Sequence, residues 1–381
     1  MHLVDITMFY AAEGNGVSTY LNAKARWLAR HSRVRHTILS PNVDSGGEAP
    51  ALVRVPAFAL PGINGFRMPT SVRAPTRLLR QAQPDIIEVG DAGHSAWAAL
   101  SLRRRLGVPA IAFYHSDLPG LVRPRFGHTI EAATCKYLAH LYRQFDLVLA
   151  PSRVMVEQLH EMGVHGVRHQ PLGIDSSVFH PARRVETLRE HLRLPDNTRL
   201  LVYAGRFTAE KKLPLLIEAV RKLGRPYHLV MIGGGPGAAA LPRYPQITYL
   251  PFKHNRRHLA RLLASCDVLV HPGDCETFGL IVLEAMACGL PVVAANGGGV
   301  AELVDDDTGI LAEPNCLDSL AAAIEAVYAR DLGQLGGNAR RKAAECYDWN
   351  EILPQVMRRY YGVLGTREQD EPGSRGICVT D

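Results

Sequence analysis

Short apolar runs alternate with segments of helical periodicity, and the alternation occurs twice along the chain. The apolar runs of the first half are 3–6, 36–40, 85–89, 109–114, 146–150 and 167–171. Those of the second half are 199–205, 227–233, 247–251, 267–272, 290–295 and 308–313. Buried strands separated by helices are typical of parallel sheets that carry helices on both faces. The pattern predicts an α/β protein with two doubly wound parallel sheets of the Rossmann type.

Domain boundaries follow from the same pattern. We expect an N-terminal domain over 1–172, a polar, proline-punctuated linker over 173–198, and a C-terminal domain over 199–348. The predicted helices include 17–31, 94–106, 129–145, 319–330, 333–347 and 349–365. The polar tail, 366–381, is expected to be disordered.

Composition excludes several classes of protein. Apolar residues make up 47% of the 381 positions and charged residues 21%, which excludes a wholly disordered chain. No apolar run approaches the roughly 20 residues needed to cross a bilayer, and the first residues lack the basic leader and cleavage site of a secretory signal. The seven cysteines are scattered, with no Cys-x-x-Cys pair. We therefore expect reduced thiols and a cytoplasmic protein.

The net charge of +6 lies entirely in residues 1–180, which hold 19 Lys and Arg against 13 Asp and Glu. This balance favours an anionic partner such as a membrane surface, a phosphorylated acceptor or nucleic acid, the alternative being a basic protein with no such partner. Arg73, Arg77 and Arg80 are spaced to share one face of a short helix that ends before Pro84. We hypothesise peripheral membrane attachment through this face, a solvated helix face being the alternative.

Two glutamates flank the start of a predicted helix in the second half. The helix is expected to begin near Phe278, and the N–H groups around Phe278, Gly279 and Leu280 would then lack helical partners. Such groups form a cradle for phosphate or sugar hydroxyls. Glu276 precedes this turn and Glu284 is expected two turns into the helix, eight residues later, so two carboxylates could accept hydrogen bonds from one polyhydroxylated ligand. Either glutamate alone would be interpreted as a solvated helix residue.

A pair of cations follows the strand 199–205. Arg206 and Lys211 are five residues apart, and a guanidinium with an ammonium suits a diphosphate that must be neutralised from two sides. The alternative is an ordinary basic loop in which the cations pair with Glu210.

Candidate residues in the first half also follow strands. Gly14 and Gly16 permit close approach of backbone to a ligand, although an ordinary strand-to-helix turn would use them as well. His115 and Asp117 follow the strand 109–114, at the edge where doubly wound sheets bind ligands. A hydrogen-bonded structural histidine is the alternative for His115.

Two further motifs are interpreted as structural. The glycine-rich stretch 233–238 resembles a dinucleotide fingerprint, but the acidic residue expected about 20 positions later is missing and Pro236 lies inside the turn, which argues against nicotinamide binding. The run Asp305, Asp306 and Asp307 lies between a helix and a strand and predicts a turn of solvated aspartates. No metal site is expected.

With these features assembled, the chain resembles the family 4 retaining glycosyltransferases of the GT-B fold. The matching stretches are EGNGVSTY, PLGIDSSVFHP, GRFTAEK, ETFGLIVLEAMACGLPVV and GGVAELV. The resemblance spans nearly the whole chain and is nearest to bacterial enzymes that add glucose or mannose to glycolipids. It implies two Rossmann-like domains that face each other across a cleft, with the last helix crossing back to the N-terminal domain.

The resemblance also implies a role for most of the candidate residues. On the donor side, Arg206 and Lys211 would bind the diphosphate. Glu276 would contact the transferred sugar and Glu284 the ribose. The backbone N–H groups around Phe278, Gly279 and Leu280 would hold sugar and phosphate. On the other side, Gly14 and Gly16 would close over the donor, and His115 would lie near the anomeric centre. We place Asp117 among the substrate-binding residues by its position. The implied reaction retains configuration and requires no metal or other cofactor.

Donor and acceptor are open at this level. The stretch AFYHSDLPGLVRPRFG resembles glycolipid-forming members, so we expect an α-linked transfer from UDP-glucose to a lipid or glycan acceptor, with GDP-mannose as the alternative donor. Two other classes are a nucleotide-sugar epimerase and a non-enzymatic protein that binds anionic surfaces. The aromatic content of 7%, without an aromatic-interleaved basic patch, argues against nucleic acid.

Overall fold

The computed structural model describes residues 1–10, 15–47, 50–59, 67–252 and 255–365. They form two compact units, one made of Met1–Leu172 with the final helix and the other of Gly173–Asp348. Each unit contains one large parallel sheet, which confirms the predicted α/β class. None of the helices described is long and apolar enough to cross a membrane. The predicted disordered tail, 366–381, lies outside the described residues.

The strands of the first unit are β1 His2–Ile6, β2 Arg35–Ser40, β3 Ala51–Arg54, β4 Ala57–Ala59, β5 Arg67–Pro69, β6 Ile86–Val89, β7 Ala110–Phe113, β8 Leu147–Ala150 and β9 Arg168–His169. Its helices are α1 Gly16–His31, α2 Arg73–Ala82, α3 His94–Leu106, α4 Leu118–Tyr142, α5 Arg153–Glu161 and the last helix of the chain, α12 Trp349–Leu364.

The strands of the second unit are β10 Arg199–Arg206, β11 Tyr227–Gly234, β12 Ile247–Pro251, β13 Val268–His271, β14 Val292–Ala295 and β15 Gly309–Ala312. Its helices are α6 Leu188–His191, α7 Leu213–Leu223, α8 Arg256–Ala264, α9 Leu280–Ala287, α10 Leu317–Tyr328 and α11 Leu332–Cys346.

Strand order reverses at one point in each large sheet. The first sheet has the order β3-β2-β1-β6-β7-β8-β9, so β1 and β6 are neighbours although four strands separate them in sequence. The second has the order β12-β11-β10-β13-β14-β15, which brings β13 beside β10. In doubly wound folds ligands bind outside the carboxyl ends of the strands at such a switch point. The loops after β1, β6, β10 and β13 are therefore the places to look for a site.

Three local expectations differ from the structure. The strands β3, β4 and β5 were not predicted, because each is short and largely unburied and lacks a continuous apolar run. Helix α4 begins at Leu118 rather than at 129, since the Asp117 carboxylate accepts the Gly120 N–H and caps it. The segment 173–198, interpreted as a linker, packs into the second unit, where Ile174 and Phe179 are fully buried.

Candidate functional site

The switch point of the second sheet brings together two predicted site residues that are 65 residues apart in sequence. Lys211 lies in a short 3₁₀ turn, Ala209–Lys211, that follows β10, and Glu276 lies in the loop that follows β13. Because β10 and β13 are hydrogen-bonded neighbours, the two loops meet at one sheet edge. There the Lys211 ammonium donates a hydrogen bond to the Glu276 carboxylate.

Glu276 accepts from a second group that the sequence analysis did not assign. His271 is the last residue of β13, and its Nε2 lies 3.1 Å from Oε1 of Glu276. Burial alone would raise the pKa of Glu276, but Lys211 and His271 hold it well below its ordinary value of 4.5. The carboxylate is therefore ionised across the physiological range, and its side chain remains 21% exposed. It can accept hydrogen bonds from a hydroxylated ligand.

Arg206 lies close in sequence but differs from Lys211 in its surroundings. It ends β10 with an exposed side chain, and it makes no ion pair within the described part of the chain. Glu210 does not pair with either cation; its carboxylate instead accepts from the Thr208 hydroxyl at 2.5 Å. One cation is thus held by the site carboxylate and the other faces solvent, where it can bind an anion.

The helix after Glu276 begins two residues later than predicted. Helix α9 starts at Leu280, so Phe278 and Gly279 lie in the loop, and only the Leu280 N–H belongs to the first helical turn. Gly279 has φ of 97°, and a Cβ there would lie 2.6 Å from a Val300 methyl, so the position requires glycine. The predicted phosphate cradle therefore consists of loop and helix N–H groups together.

Glu284 sits one turn inside α9 and is almost fully buried. Its carboxylate accepts from the guanidinium of Arg256, on α8, at 2.7 Å. Burial raises the pKa of Glu284, and Arg256 opposes that rise. Arg256 was not predicted, because nothing in the local sequence of α8 marks it; only the packing of α8 on α9 brings it to Glu284.

In the first unit, His115 follows β7 at the carboxyl edge of the sheet. Its ring stacks on Phe113 at 4.3 Å between centroids and lies 5.5 Å from the Tyr20 ring. Burial, with the nearby Lys24 ammonium, lowers the pKa of His115 to about 3, so the imidazole is neutral at physiological pH. His115 borders a narrow pocket at the switch point, which is lined by Asp5, Ile6, Thr7, Val17, Leu21, Glu88, Gly90 and His115.

The floor of this pocket contains a buried charged cluster that the sequence analysis did not find. Lys24, from α1, donates to Asp5 of β1 at 2.7 Å and to Glu88 of β6 at 2.8 Å. The three side chains are 1–2% exposed. Tyr360, from α12, accepts from Lys24 at 3.0 Å and donates to Glu88. The cluster ties the last helix to the two strands at the switch point.

The remaining predicted residues lie at a helix cap, at a helix start and in a turn. Asp117 caps α4 and also accepts from Gln158 at 2.8 Å, so its carboxylate is already engaged. Gly16 begins α1, whereas Gly14 lies outside the described residues. Asp305 forms the predicted turn and pairs with Lys342 at 2.6 Å.

Two family models match the chain. The model described as Glycosyltransferase Family 4 matches residues 14–178, and the one described as Glycosyl transferases group 1 matches residues 184–345. Together they cover both structural units, and they include Lys211, Glu276 and Glu284.

Curated relatives and a solved structure are also similar to this chain. A GDP-mannose-dependent alpha-(1-6)-phosphatidylinositol dimannoside mannosyltransferase of Mycobacterium tuberculosis is 30% identical over 94% of this chain and 95% of its own length. A GDP-mannose-dependent alpha-mannosyltransferase of Corynebacterium glutamicum is 26% identical over 84% of this chain and 77% of its own. The fold matches that of sucrose-phosphate synthase from Thermosynechococcus elongatus, with a TM-score of 0.80 at 21% identity over 96% and 99% of the two chains.

Proposed function

The chain belongs to the family 4 glycosyltransferases of the GT-B fold, and we propose that it moves a mannosyl group from GDP-mannose to a hydroxyl of a lipid-linked acceptor with retention of configuration. The observation that carries the proposal is the Lys211–Glu276 pair at the switch point of the second sheet. A cation for phosphate and a carboxylate for sugar hydroxyls meet there beside the start of α9.

The donor diphosphate would be held by three groups of this site. Arg206 faces solvent and offers a fork of donors, Lys211 offers an ammonium, and the Leu280 N–H lies at the positive end of α9. When the donor bond breaks, negative charge develops on the β-phosphate, and groups fixed in place before the reaction stabilise it. We propose that these groups suffice without a metal.

The proposed step involves one bond broken and one formed at the anomeric carbon. The bond from C1 to the β-phosphate oxygen breaks, and the acceptor oxygen bonds to C1 on the same face. The acceptor proton passes to the departing phosphate oxygen, which leaves GDP and an α-linked product. Glu276 would hold the sugar hydroxyls, and Glu284 would hold the ribose.

The names of the relatives bear on the choice of sugar donor. UDP-glucose was the expected donor, but two relatives that span most of this chain are named as GDP-mannose-dependent. We therefore favour GDP-mannose and keep UDP-glucose as the alternative. The acceptor and the membrane association rest on the basic first unit and on the relative named for a phosphatidylinositol dimannoside.

A thermal-shift panel tests the donor assignment. A ligand that binds the folded state raises its stability by RT ln(1 + [L]/Kd), so GDP and GDP-mannose should raise Tm more than UDP, UDP-glucose or ADP. The Lys211→Met variant should lose most of the GDP shift, whereas Lys212→Met, which changes the neighbouring lysine, should keep it. An equal shift with UDP and GDP, or a larger one with UDP-glucose, would contradict the choice of GDP-mannose.

A further inference from the structure

Helix α4 exposes an unusual share of the apolar side chains of this protein. Of the eight large exposed hydrophobic residues in the described part of the chain, four lie in this helix. Leu121 is 51% exposed, Phe126 56% and Ile130 46%. All residues from 123 to 130 are exposed, so this part of α4 packs against none of the other elements that the structure describes. An unpartnered helical segment with large apolar side chains marks an interaction surface.

The same segment carries positive charge. Helix α4 contains Arg123, Arg125 and Lys136 but only one carboxylate, that of Glu131. Glu131 accepts from His128 at 3.0 Å and lies 3.8 Å from Arg123. The Arg125 guanidinium lies over the neighbouring Phe126 ring, 5.4 Å from its centroid. Arginines and large apolar side chains therefore lie side by side on an exposed stretch that the non-helical residue Gly127 interrupts. Apolar groups that can enter the headgroup region, next to arginines that can contact anionic headgroups, suit the surface of an anionic bilayer.

A second copy of the chain is the other occupant to consider. A two-fold dimer places the same patch against itself, and this patch would then oppose its own arginines. Like charges that face each other across an interface cost several kcal/mol. An anionic lipid surface matches both the charge and the apolar side chains, so it is the occupant that the segment fits.

We propose that residues 121–130 of α4, hereafter the α4 insertion segment, insert into the surface of an anionic bilayer. Helix α4 begins three residues after His115, at the carboxyl edge of the first sheet. Insertion of the segment would therefore hold this edge against the bilayer, where a lipid acceptor arrives. This last consequence rests on the proposed function, whereas membrane binding itself does not.

Helix α2 differs from the α4 insertion segment in what it exposes. Its residues Arg73, Arg77 and Arg80 are exposed as predicted, but its apolar Leu79 is fully buried. This face can attract an anionic surface but cannot insert into it. The point of insertion therefore lies in α4 and not, as the sequence alone suggested, in α2.

The sequence provides a matched control for the experiment. Arg125–Phe126 in the segment and Arg105–Leu106 at the end of α3 are both exposed pairs of an arginine and a large apolar residue. Helix α3 ends shortly before β7 begins, so Arg105 and Leu106 lie at the amino edge of the sheet, away from the start of α4. The double variants R125Q/F126E and R105Q/L106E change charge and polarity equally.

Flotation with phosphatidylcholine vesicles, with and without phosphatidylglycerol, measures the binding. We expect the protein to float with the anionic vesicles at low salt. R125Q/F126E should lower the partition coefficient by about 50-fold. The loss of one arginine near anionic lipid accounts for about fivefold, the loss of one large apolar side chain for about tenfold, and the two factors multiply. R105Q/L106E should float like the unchanged protein. Equal flotation of the two variants, or equal recovery with neutral vesicles, would overturn the proposal.

Fluorescence gives a second readout that does not depend on lost binding. The emission of F126W should shift to the blue when phosphatidylglycerol vesicles are added, whereas that of L106W should not. The GDP thermal shift should be the same in all four variants, so its loss would point to the donor site and not to the segment. If R125Q/F126E instead lowers the sedimentation coefficient without vesicles, the segment is a dimer interface and the proposal is wrong.

Discussion

The Glu276→Gln variant separates transition-state binding from nucleotide binding at the proposed site. In the structure the Glu276 carboxylate accepts from Lys211 and His271 and has a lowered pKa, so the protein presents a full negative charge to the sugar. Glutamine keeps the shape and the acceptor oxygen but removes the charge. A hydrogen bond to a charged group is worth about 1.5–3 kcal/mol. The substitution should therefore lower kcat/KM by about 10- to 150-fold, at 1.36 kcal/mol for each factor of ten.

The affinity of the Glu276→Gln variant for bare GDP should rise or stay the same. Glu276 holds the Lys211 ammonium in the free protein. Without the carboxylate charge, this ammonium can turn wholly to the diphosphate, and the repulsion between carboxylate and phosphate is removed. Calorimetry with GDP should therefore show equal or tighter binding in Glu276→Gln, while kcat falls, as expected for an interaction that strengthens in the transition state.

The control is Asp274→Asn, which makes the same change of charge in the same loop. Asp274 accepts from Asn315 at 2.8 Å and is not in contact with Lys211 or His271. It should leave kcat/KM near that of the unchanged protein. Weaker GDP binding in Glu276→Gln, by tenfold or more, would refute the assignment of Glu276 to the sugar.

Four further outcomes follow from the structure. Glu284→Gln should raise donor KM about tenfold and weaken bare GDP in calorimetry, because ribose contacts are equal in ground and transition states. Lys24→Met should cost about 3–5 kcal/mol in urea unfolding, since it removes the ammonium that Asp5 and Glu88 share and leaves the buried Glu88 without a cation. Because the pKa of His115 is about 3 in the folded state against its ordinary 6.5, its neutral imidazole contributes stability that is lost as pH drops below 6.5. His115→Gln should therefore make the fall in stability less steep in unfolding titrations, the remainder coming from histidines such as His2 and His228, whose pKa values are also lowered. Transfer should survive excess chelator, and its loss with restoration by magnesium would contradict metal independence.

The sequence predicts an element best where one pattern dominates. Strands such as β10 and β11 are buried on both faces, so they stand out as apolar runs. The edge strand β3 is only half-buried and carries no such run. The start of α4 was missed because Pro124 and Gly127 interrupt its helical pattern, yet the chain remains helical on both sides of Gly127. The sequence therefore predicts the ends of an exposed helix less well than those of a buried one, because no periodic apolar face marks where the exposed helix begins.

The candidate site shows the same division. Lys211 and Glu276 were found because each follows a strand, and the switch-point rule brings such loops together. His271 was within reach of the same argument, since it ends the strand before Glu276. Arg256 could not be predicted in this way, because it is 28 residues away from Glu284 in sequence and reaches it only through the packing of α8.

Each unit places a lysine between strands at its switch point, and exposure decides what that lysine can do. Lys24 joins Asp5 and Glu88, which are partners across β1 and β6, and all three side chains are 1–2% exposed. Removing such a charge from its partners is costly, so the cluster can hold α1 and α12 in place but cannot exchange its contacts for those of a ligand. Lys211 and Glu276 are 17% and 21% exposed. At that exposure the pair can open towards phosphate and sugar, as the proposed donor site requires.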